Sequence, residues 1–294
     1  MKSFPHRRKR NQWKLLCLLA AFLVLFVVWQ QNLLLGISSK SALLLDRQNQ
    51  QVLAQKSAHA RCDPASLTKI MTVLLAIEAC PDLDTPVTLP EEIFPALDAA
   101  DASMAGFLPG ETVTVRDLLY GAMLPSGAEC CEALARRVSG SEEAFVSLMN
   151  QKAQELEMLN THYANPTGLT TPDHKTTVTD LAKLLCAALN NETFRTVFTT
   201  EAYTSTATPQ HPEGLTFSST LLSRLNGEEI PGGKILGGKT GYTSAAGLCL
   251  ASLAEIGGRE YLLITLDAPG DHSTEPFHIQ DAVRVYRRLA KWLH

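Results

Sequence analysis

Residues 247–266 read GLCLASLAEIGGREYLLITL, and this stretch decides the fold. It contains two short apolar runs, residues 247–255 and 261–266, which Gly257 and Gly258 separate. Paired glycines between two such runs predict an antiparallel hairpin, because glycine adopts the backbone angles that a tight turn requires. The sequence therefore predicts a sheet near the C-terminus.

A second hairpin is predicted near the start, with a strand at 41–45, a turn at 46–50 and a return strand at 51–55. Between about 81 and 225 the apolar spacing is mostly helical, with loops at proline and glycine. Strands at both ends with helices between them predict an α+β fold. We expect one antiparallel sheet in a domain spanning 40–294, with the helical subdomain at about 81–225 as a large insertion.

The helix expected after the first hairpin begins near Asp63, with Asp63 as its N-cap and Pro64 at its first position. Helices at 116–124 and 128–138 are expected on either side of Pro125-Ser126-Gly127, and others at 142–156 and 179–189. A last helix, 279–293, has an apolar face and a basic face. We interpret it as a core helix with a solvated side, although such helices also lie on membranes.

Three short segments contain candidate catalytic residues. Ser66 precedes Lys69 by three residues on one predicted helix, so their side chains share a face. Ser126 starts a Ser-Gly-Ala segment, and Lys239-Thr240-Gly241 ends a glycine-rich strand. A serine hydroxyl needs a neighbouring base, and lysine serves as one when burial or a second cation destabilises its ammonium form.

Lys239 is a candidate for that second cation and for electrostatic contact with a substrate carboxylate. The first turn of a helix offers unpaired N–H groups to a developing oxyanion, which favours Ser66 as the nucleophile. Gly237, Gly238 and Gly241 are expected to let a substrate backbone lie against the strand. Each segment alone has an ordinary interpretation: exposed helix side chains, an N-capping serine, or a strand end. Their order and contexts together predict serine acyl transfer.

The chain resembles the serine-type D-alanyl-D-alanine carboxypeptidases, the low-molecular-mass penicillin-binding proteins. The resemblance extends from about residue 41 to the C-terminus. Its motifs are Pro64-Ala-Ser-Leu-Thr-Lys69, Asp117-Leu-Leu-Tyr120, Asn165-Pro-Thr-Gly-Leu169, Thr179-Asp180-Leu181 and Gly238-Lys-Thr-Gly-Tyr-Thr-Ser-Ala-Ala-Gly247. It implies the transpeptidase/β-lactamase-like fold, with a five-stranded antiparallel sheet packed with helices beside a mostly helical subdomain.

By this resemblance, Ser66 attacks the carbonyl between two D-alanines of a peptidoglycan stem peptide, Lys69 takes its proton, and Ser126 relays a proton to the departing D-alanine. The substrate-binding residues are Lys239, Thr240 and Gly241, with Lys239 and Thr240 binding the terminal carboxylate. The backbone N–H groups of Ser66 and Tyr242 form the oxyanion hole. Water then frees the acyl-enzyme, and β-lactam antibiotics act as slow-hydrolysing mimics.

The chain departs from the family pattern at Ala128, where asparagine usually holds the substrate peptide and helps to position the lysine. Losing one such hydrogen bond costs about 1–3 kcal/mol, or tenfold to a hundredfold in rate. Glu129 is adjacent but is expected to point elsewhere. His174 lies in a loop that borders the site by resemblance. A role in deacylation is one hypothesis for it, and a surface loop histidine is the favoured interpretation.

The N-terminus predicts export. Residues 1–14 are basic, and residues 15–36 are mostly apolar. Basic residues stay on the cytoplasmic side, so the remainder is expected outside the cell membrane. We favour an uncleaved transmembrane anchor over a cleaved signal segment, because residues 36–38 imitate a cleavage site only weakly. The alternative is a domain secreted after cleavage.

The composition gives no support for nucleic-acid binding, since the residues after the basic start are acidic on balance. We expect no cofactor and no metal, because no Cys/His cluster has zinc-site spacing. The predicted partners are a stem peptide ending in D-Ala-D-Ala, β-lactams and, through the N-terminal helix, the membrane. Six cysteines follow residue 36, and their disulfide state is left open. Cys130 and Cys131 are expected in the core, and Cys62 and Cys80 are too far apart for a bridge.

Two alternative functions compete with an anchored carboxypeptidase that acts in cell-wall maturation. A β-lactamase is disfavoured, because the loop after Asn165 offers no convincing glutamate to activate a deacylating water. A catalytically weak or inactive homologue that binds stem peptide or penicillin is motivated by Ala128 alone.

Overall fold

The computed structural model describes residues 33–225 and 227–293. Its strands, in chain order, are β1 (Ser41–Asp46), β2 (Gln51–Lys56), β3 (Pro86–Thr88), β4 (Thr112–Thr114), β5 (Ala202–Thr204), β6 (Thr216–Ser218), β7 (Gly233–Thr243), β8 (Gly247–Ile256) and β9 (Arg259–Ala268). Five of them form one antiparallel sheet in the order β2-β1-β9-β8-β7. The predicted sheet and both predicted hairpins are confirmed.

The helices are α1 (Lys69–Ala79), α2 (Phe94–Ala99), α3 (Val115–Met123), α4 (Ala128–Ser139), α5 (Glu142–Glu155), α6 (Val178–Ala188), α7 (Glu192–Thr199) and α8 (Phe277–Leu293). Short 3₁₀ turns lie at Ala65–Thr68, Glu91–Ile93 and Leu222–Arg224. The helical insertion is confirmed between β2 and β7. Two small two-stranded sheets inside it, β3–β4 and β5–β6, were not predicted, because three-residue strands are too short to show a period.

The sheet is covered on both faces. Leu262 and Ile264 of β9 pack into the large apolar cluster with α1 and α6, whereas Tyr261 and Leu263 pack into a second cluster with α8. Side chains alternate across a strand, so successive residues feed opposite clusters. This explains why residues 261–266 are almost entirely apolar. The burial of α8 in the second cluster confirms that it is a core helix.

The start of the first helix differs from the prediction. Residues Ala65–Thr68 form a 3₁₀ turn, and α1 begins only at Lys69. Asp63 is not an N-cap, because its carboxylate instead accepts a hydrogen bond from Lys175 Nζ at 2.6 Å. The chain turns sharply just before the serine, with Ala65 in the left-handed region at φ 46°.

The predicted membrane segment, 15–36, lies mostly outside the described residues. Its described end does not extend from the domain: Leu33 and Leu34 are buried with Ile37 in the α8 cluster. These apolar side chains are buried by packing on α8, and residues 15–32 of the predicted segment lie outside the described residues. Among the helices of the described ranges, none is both long and apolar enough to cross a bilayer.

The cysteine expectations hold for the described residues. Cys130 and Cys131 are fully buried in the large apolar cluster, where cysteine acts as a small apolar side chain. Cys62 and Cys80 are not bridged, and both carry free thiols.

Candidate active site

The three predicted catalytic side chains meet around the Lys69 ammonium. Lys69 Nζ lies 3.0 Å from Ser66 Oγ and 3.3 Å from Ser126 Oγ. Ser66 lies in the 3₁₀ turn, and a 3₁₀ turn has three residues per turn, so residues 66 and 69 lie directly above one another. The structure therefore brings together Ser66, Lys69 and Ser126, as the sequence predicted.

Lys69 is held in an apolar environment. It opens a helix whose residues Lys69 to Ile77 are all buried, and its own side chain is 2% exposed. Burial lowers the pKa of Lys69, because an ammonium loses its hydration there, and the nearby Glu129 carboxylate opposes this effect. Lowering the pKa of a lysine increases the fraction that is neutral near pH 7, and only the neutral form can accept a proton.

Ser126 is placed by a strained turn between α3 and α4. It has a left-handed φ of 72°, which non-glycine residues adopt rarely, and strain of this kind is common at functional positions. Gly127 N donates to Gly121 O at 2.8 Å and fixes the turn. The N-cap of α4 is Gly127, so Ser126 is not an N-capping serine and its hydroxyl is available to Lys69.

Lys239 lies behind the serine–lysine cluster. It is on β7 with no exposed surface, and its ammonium donates to Thr240 O at 2.8 Å. Burial lowers the pKa of Lys239 well below its ordinary value, and the Lys69 charge lowers it further. Lys239 therefore lies behind the cavity surface and does not line the cavity. The Thr240 hydroxyl bonds to the Thr220 hydroxyl at 2.7 Å, a partner that the sequence did not indicate.

Strand β7 forms one edge of the sheet, with β8 on its inner side, so its outer edge faces the site. Gly241 is pressed against the nucleophile, because a Cβ there would lie 2.9 Å from Ser66 N. Tyr242 follows it and lines the cavity. The expectation that Gly237 and Gly238 make room for substrate is wrong: a Cβ at these positions would meet Phe198 O at 2.3 Å and Leu221 Cδ2 at 2.4 Å, respectively.

A cavity of about 460 Å³ opens above Ser66 and Lys69. Its outer rim contains Asp101, Ser103, Thr170 and His272, which the sequence analysis did not identify, and Ser244, which lies in the quoted 238–247 motif but was given no role. The first four lie in loops without a period, and only their polar character marks them in the sequence. The His272 ring packs edge-on against Tyr242 at 4.8 Å between centroids, which joins the last loop to β7.

His174 is not a surface residue, so the favoured interpretation was wrong. It is 1% exposed, its Nδ1 accepts from Ala164 N at 3.2 Å, and its Nε2 lies 2.8 Å from Thr68 Oγ1. Accepting at Nδ1 leaves the proton on Nε2, which donates to Thr68. Burial lowers the pKa of His174 to about 4. It does not line the cavity and instead supports the turn that carries Ser66.

Glu129 points away from the cavity, as predicted. Its Oε1 accepts from Ala105 N at 2.7 Å and from Gly106 N at 2.9 Å, and the carboxylate is fully buried. Burial raises the pKa of Glu129. The carboxylate ties the loop before α3 to the start of α4 and does not replace the amide missing at Ala128.

No three His, Cys, Asp or Glu side chains are placed to hold a metal ion in residues 33–225 and 227–293. The site residues are serines, lysines and backbone groups. This donor set fits acyl transfer by a nucleophilic serine with a lysine base.

The comparisons with known proteins agree with this geometry. Residues 28–270 match a family model described as D-alanyl-D-alanine carboxypeptidase. A D-alanyl-D-alanine carboxypeptidase of Bacillus subtilis is 37% identical over 240 residues, which are 80% of this chain and 58% of that protein. One from Escherichia coli is 29% identical over 267 residues, or 87% of this chain and 63% of that protein. The chain thus spans less than two thirds of the length of both relatives.

Two solved structures of related proteins have the same fold as this chain. The crystal structure of a Streptomyces DD-transpeptidase aligns with a TM-score of 0.77 at 30% identity and covers 86% of this chain and 97% of that one. A D-alanyl-D-alanine carboxypeptidase from Mycobacterium tuberculosis aligns with a TM-score of 0.73 at 26% identity, over 87% of this chain and 91% of that one. The transpeptidase-type fold predicted from the sequence is confirmed.

Proposed function

The chain belongs to the D-alanyl-D-alanine carboxypeptidase family, and we propose that it removes the terminal D-alanine from peptidoglycan stem peptides through a Ser66 acyl-enzyme. The observation that carries the proposal is the position of one buried lysine nitrogen within 3.0 Å of Ser66 Oγ and 3.3 Å of Ser126 Oγ. This single base serves both the nucleophile and the hydroxyl that faces the leaving group.

The reaction begins when neutral Lys69 accepts the Ser66 proton and Ser66 Oγ bonds to the carbonyl carbon between the two D-alanines. The carbonyl oxygen gains the negative charge and is stabilised by the N–H groups of Ser66 and Tyr242. The C–N bond then breaks, and the proton held by Lys69 passes through Ser126 to the departing amine. Water hydrolyses the serine ester by the same base and restores the free hydroxyl.

Recognition of the substrate is assigned to β7 and the buried Lys239. The free edge of β7 pairs with an extended peptide, as sheet edges do in peptide recognition. A terminal carboxylate beside β7 favours the ammonium form of Lys239, which then attracts it, and Thr240 contacts the carboxylate with Gly241 beside the nucleophile. β-Lactams present the same carboxylate and a strained amide, so they are expected to acylate Ser66.

We also propose that the catalytic domain works on the outer side of the cell membrane, held by residues 15–36. Six basic residues, which are Lys2, Arg7, Arg8, Lys9, Arg10 and Lys14, precede the apolar run and support this orientation. Fractionation of cells that express the full chain tests it. Release by high salt without detergent would contradict the anchor.

A labelled penicillin and a D-Ala-D-Ala peptide test the activity. We expect covalent labelling that is lost in Ser66→Ala, together with release of free D-alanine. No labelling of the native protein would overturn the shared chemistry.

A stem-peptide or penicillin binder with little turnover is the second candidate, and Ala128 is the observation that favours it. Labelling without D-alanine release, in a protein whose label disappears in Ser66→Ala, would identify this function in place of the carboxypeptidase.

A further inference from the structure

Ala128 leaves a polar gap in the cavity wall. It lines the cavity beside Ser66 and Lys69, and its methyl group forms no hydrogen bonds. A substrate amide that enters here would lose the hydrogen bonds it made to water and find none on Ala128. A second group near this position is therefore needed if the peptide is to be held well.

Ser103 lies beside Ala128. Its backbone carbonyl accepts a hydrogen bond from Ala128 N at 2.8 Å, so the two residues are neighbours in the cavity wall. Ser103 is exposed and lines the same cavity, and its hydroxyl makes no hydrogen bond to any other residue in the described ranges. A hydroxyl both donates and accepts, as an amide side chain does.

The position of Ser103 is fixed by its neighbours. Glu129 Oε1 holds Ala105 N and Gly106 N at 2.7 and 2.9 Å. Gly127 packs so closely on Ala105 that an added Cβ would lie 2.7 Å from the Ala105 Cβ. Residues 103–106 and 127–129 thus form one tightly joined unit, and a hydroxyl carried by a preorganised loop loses little entropy on binding.

We propose that Ser103 is a substrate-binding residue that hydrogen-bonds the peptide group of the substrate in place of the asparagine usual at position 128. The proposal rests on the function given above, since the ligand is the stem peptide. Ser103 and residue 128 then share one task, and each should matter most when the other is lacking.

A double-mutant cycle tests this sharing. In the native chain, Ser103→Ala should lower kcat/KM for a D-Ala-D-Ala peptide about tenfold, the range of one hydrogen bond. In the Ala128→Asn background the same change should cost less than about twofold. Ser103→Thr keeps a hydroxyl and should retain most of the activity. Equal losses in both backgrounds, or no loss in either, would overturn the proposal.

Ser244 is the matched control, because it is also an exposed serine of the cavity wall with no hydrogen-bonded side chain in the described ranges. The effect of Ser244→Ala should not depend on residue 128. If Ser244→Ala shows the same dependence as Ser103→Ala, the coupling reflects general polarity of the cavity and the specific role of Ser103 is refuted.

A binding measurement separates this proposal from the proposed function. Calorimetry with the D-Ala-D-Ala peptide in a Ser66→Ala background requires no turnover. Ser103→Ala should weaken peptide binding about fivefold when Ala128 is present, an effect that a single hydrogen bond explains. The same change should leave binding unchanged when it is combined with Ala128→Asn. If the native chain is not acylated while binding in the Ser66→Ala background behaves in this way, the proposal for Ser103 holds and the carboxypeptidase function is refuted.

Discussion

The two sides of the cavity are built in opposite ways. The inner wall, defined as Ser66 and Lys69 at the cavity surface together with the buried Ser126 and Lys239 next to them, contains two buried lysines whose side-chain nitrogens are hydrogen-bonded to protein oxygens. The outer wall, defined as residues 100–103 with Thr170, Ser244 and His272, consists of loop residues, and Asp101, Ser103 and Ser244 on it are exposed. The buried lysines supply reactivity, because burial favours the neutral form that accepts a proton, and the exposed polar groups supply recognition.

This contrast teaches where changes should act. Replacing an inner-wall residue alters the protonation and position of the reacting atoms, so effects should appear in the rate of acylation. Replacing an outer-wall residue alters contacts with the bound peptide, so it should change the reaction with a peptide more than the acylation by a small inhibitor. The largest effects are therefore expected for substitutions in the inner wall, and smaller ones for substitutions toward the outer wall.

The largest effect is expected for Lys69→Met. Methionine fills a similar volume without a base, so acylation by a labelled penicillin should fall about 1,000-fold, within the range for loss of a general base. The native rate should also rise with pH, because the reactive form of Lys69 is the neutral one. The acylation rate of the native chain and of Lys69→Met, measured from quenched time courses at several pH values, gives both the loss of rate and the pH dependence.

Lys69→Met should remain folded, because removing a buried ammonium removes a desolvation cost. An unchanged or raised melting temperature, with a flat pH profile of residual acylation, is expected. A variant that keeps the native rate would remove Lys69 from the mechanism.

A substitution behind the inner wall should have the next largest effect. Gly168 has φ 88°, and a Cβ there would lie 2.0 Å from Ala65 O, next to the nucleophile. Gly168→Ala should therefore displace the turn that carries Ser66. We expect about a hundredfold slower acylation and about 3 kcal/mol lower stability, measured by penicillin labelling and urea unfolding.

Gly140→Ala is the matched control, because Gly140 also has a left-handed φ, 83°, but a Cβ there would meet nothing within 4 Å. It should cost only about 1 kcal/mol of backbone strain and leave acylation unchanged. Equal loss of acylation in both variants would show that the packing of Gly168 on Ala65 is unimportant.

The inner wall was predictable and the outer wall was not, for a physical reason. Ser66 and Lys69 are three residues apart, and this spacing places both side chains on one face of a helical turn, so their contact follows from the sequence. Ser126 and Lys239 lie in a turn and on a strand, and their place in the site was predicted from their motifs and from the resemblance to the family. Asp101 and His272 come together only through loop paths that no local pattern encodes. The interpretation of His174 as a surface residue was also wrong, because the composition indicates a loop but does not show that this loop is buried.

His174 supports the turn that carries Ser66, and its lowered pKa makes the stability of the protein depend on pH. Its folded pKa is about 4 against an ordinary 6.5, so the unfolded chain takes up a proton first as the pH falls. Stability is complete above pH 6.5 and is lost between 6.5 and 4, by about 3 kcal/mol. His174→Gln should remove this loss, as seen in melting temperatures at pH 7 and pH 4.5.

His278 gives the comparison, since burial in α8 also lowers its pKa to about 4, and it is not among the residues that line the cavity. His278→Gln should reduce acid sensitivity by a similar amount without changing penicillin acylation. His174→Gln should slow acylation as well, because the Thr68 contact beside Ser66 is altered. Identical acylation in the two variants would reduce His174 to a structural role.

The smallest effect is expected where the two walls meet, at Ala128. Ala128→Asn adds an amide between Lys69 and Ser103, so turnover of a D-Ala-D-Ala peptide should rise at most about tenfold, the value of one hydrogen bond in rate. The gain should fall mainly in kcat/KM for the peptide and less in penicillin acylation, because the added contact is to the peptide chain. A larger gain with penicillin would mean that the amide acts on Lys69, and the division of reactivity and recognition between the walls would then fail at this residue.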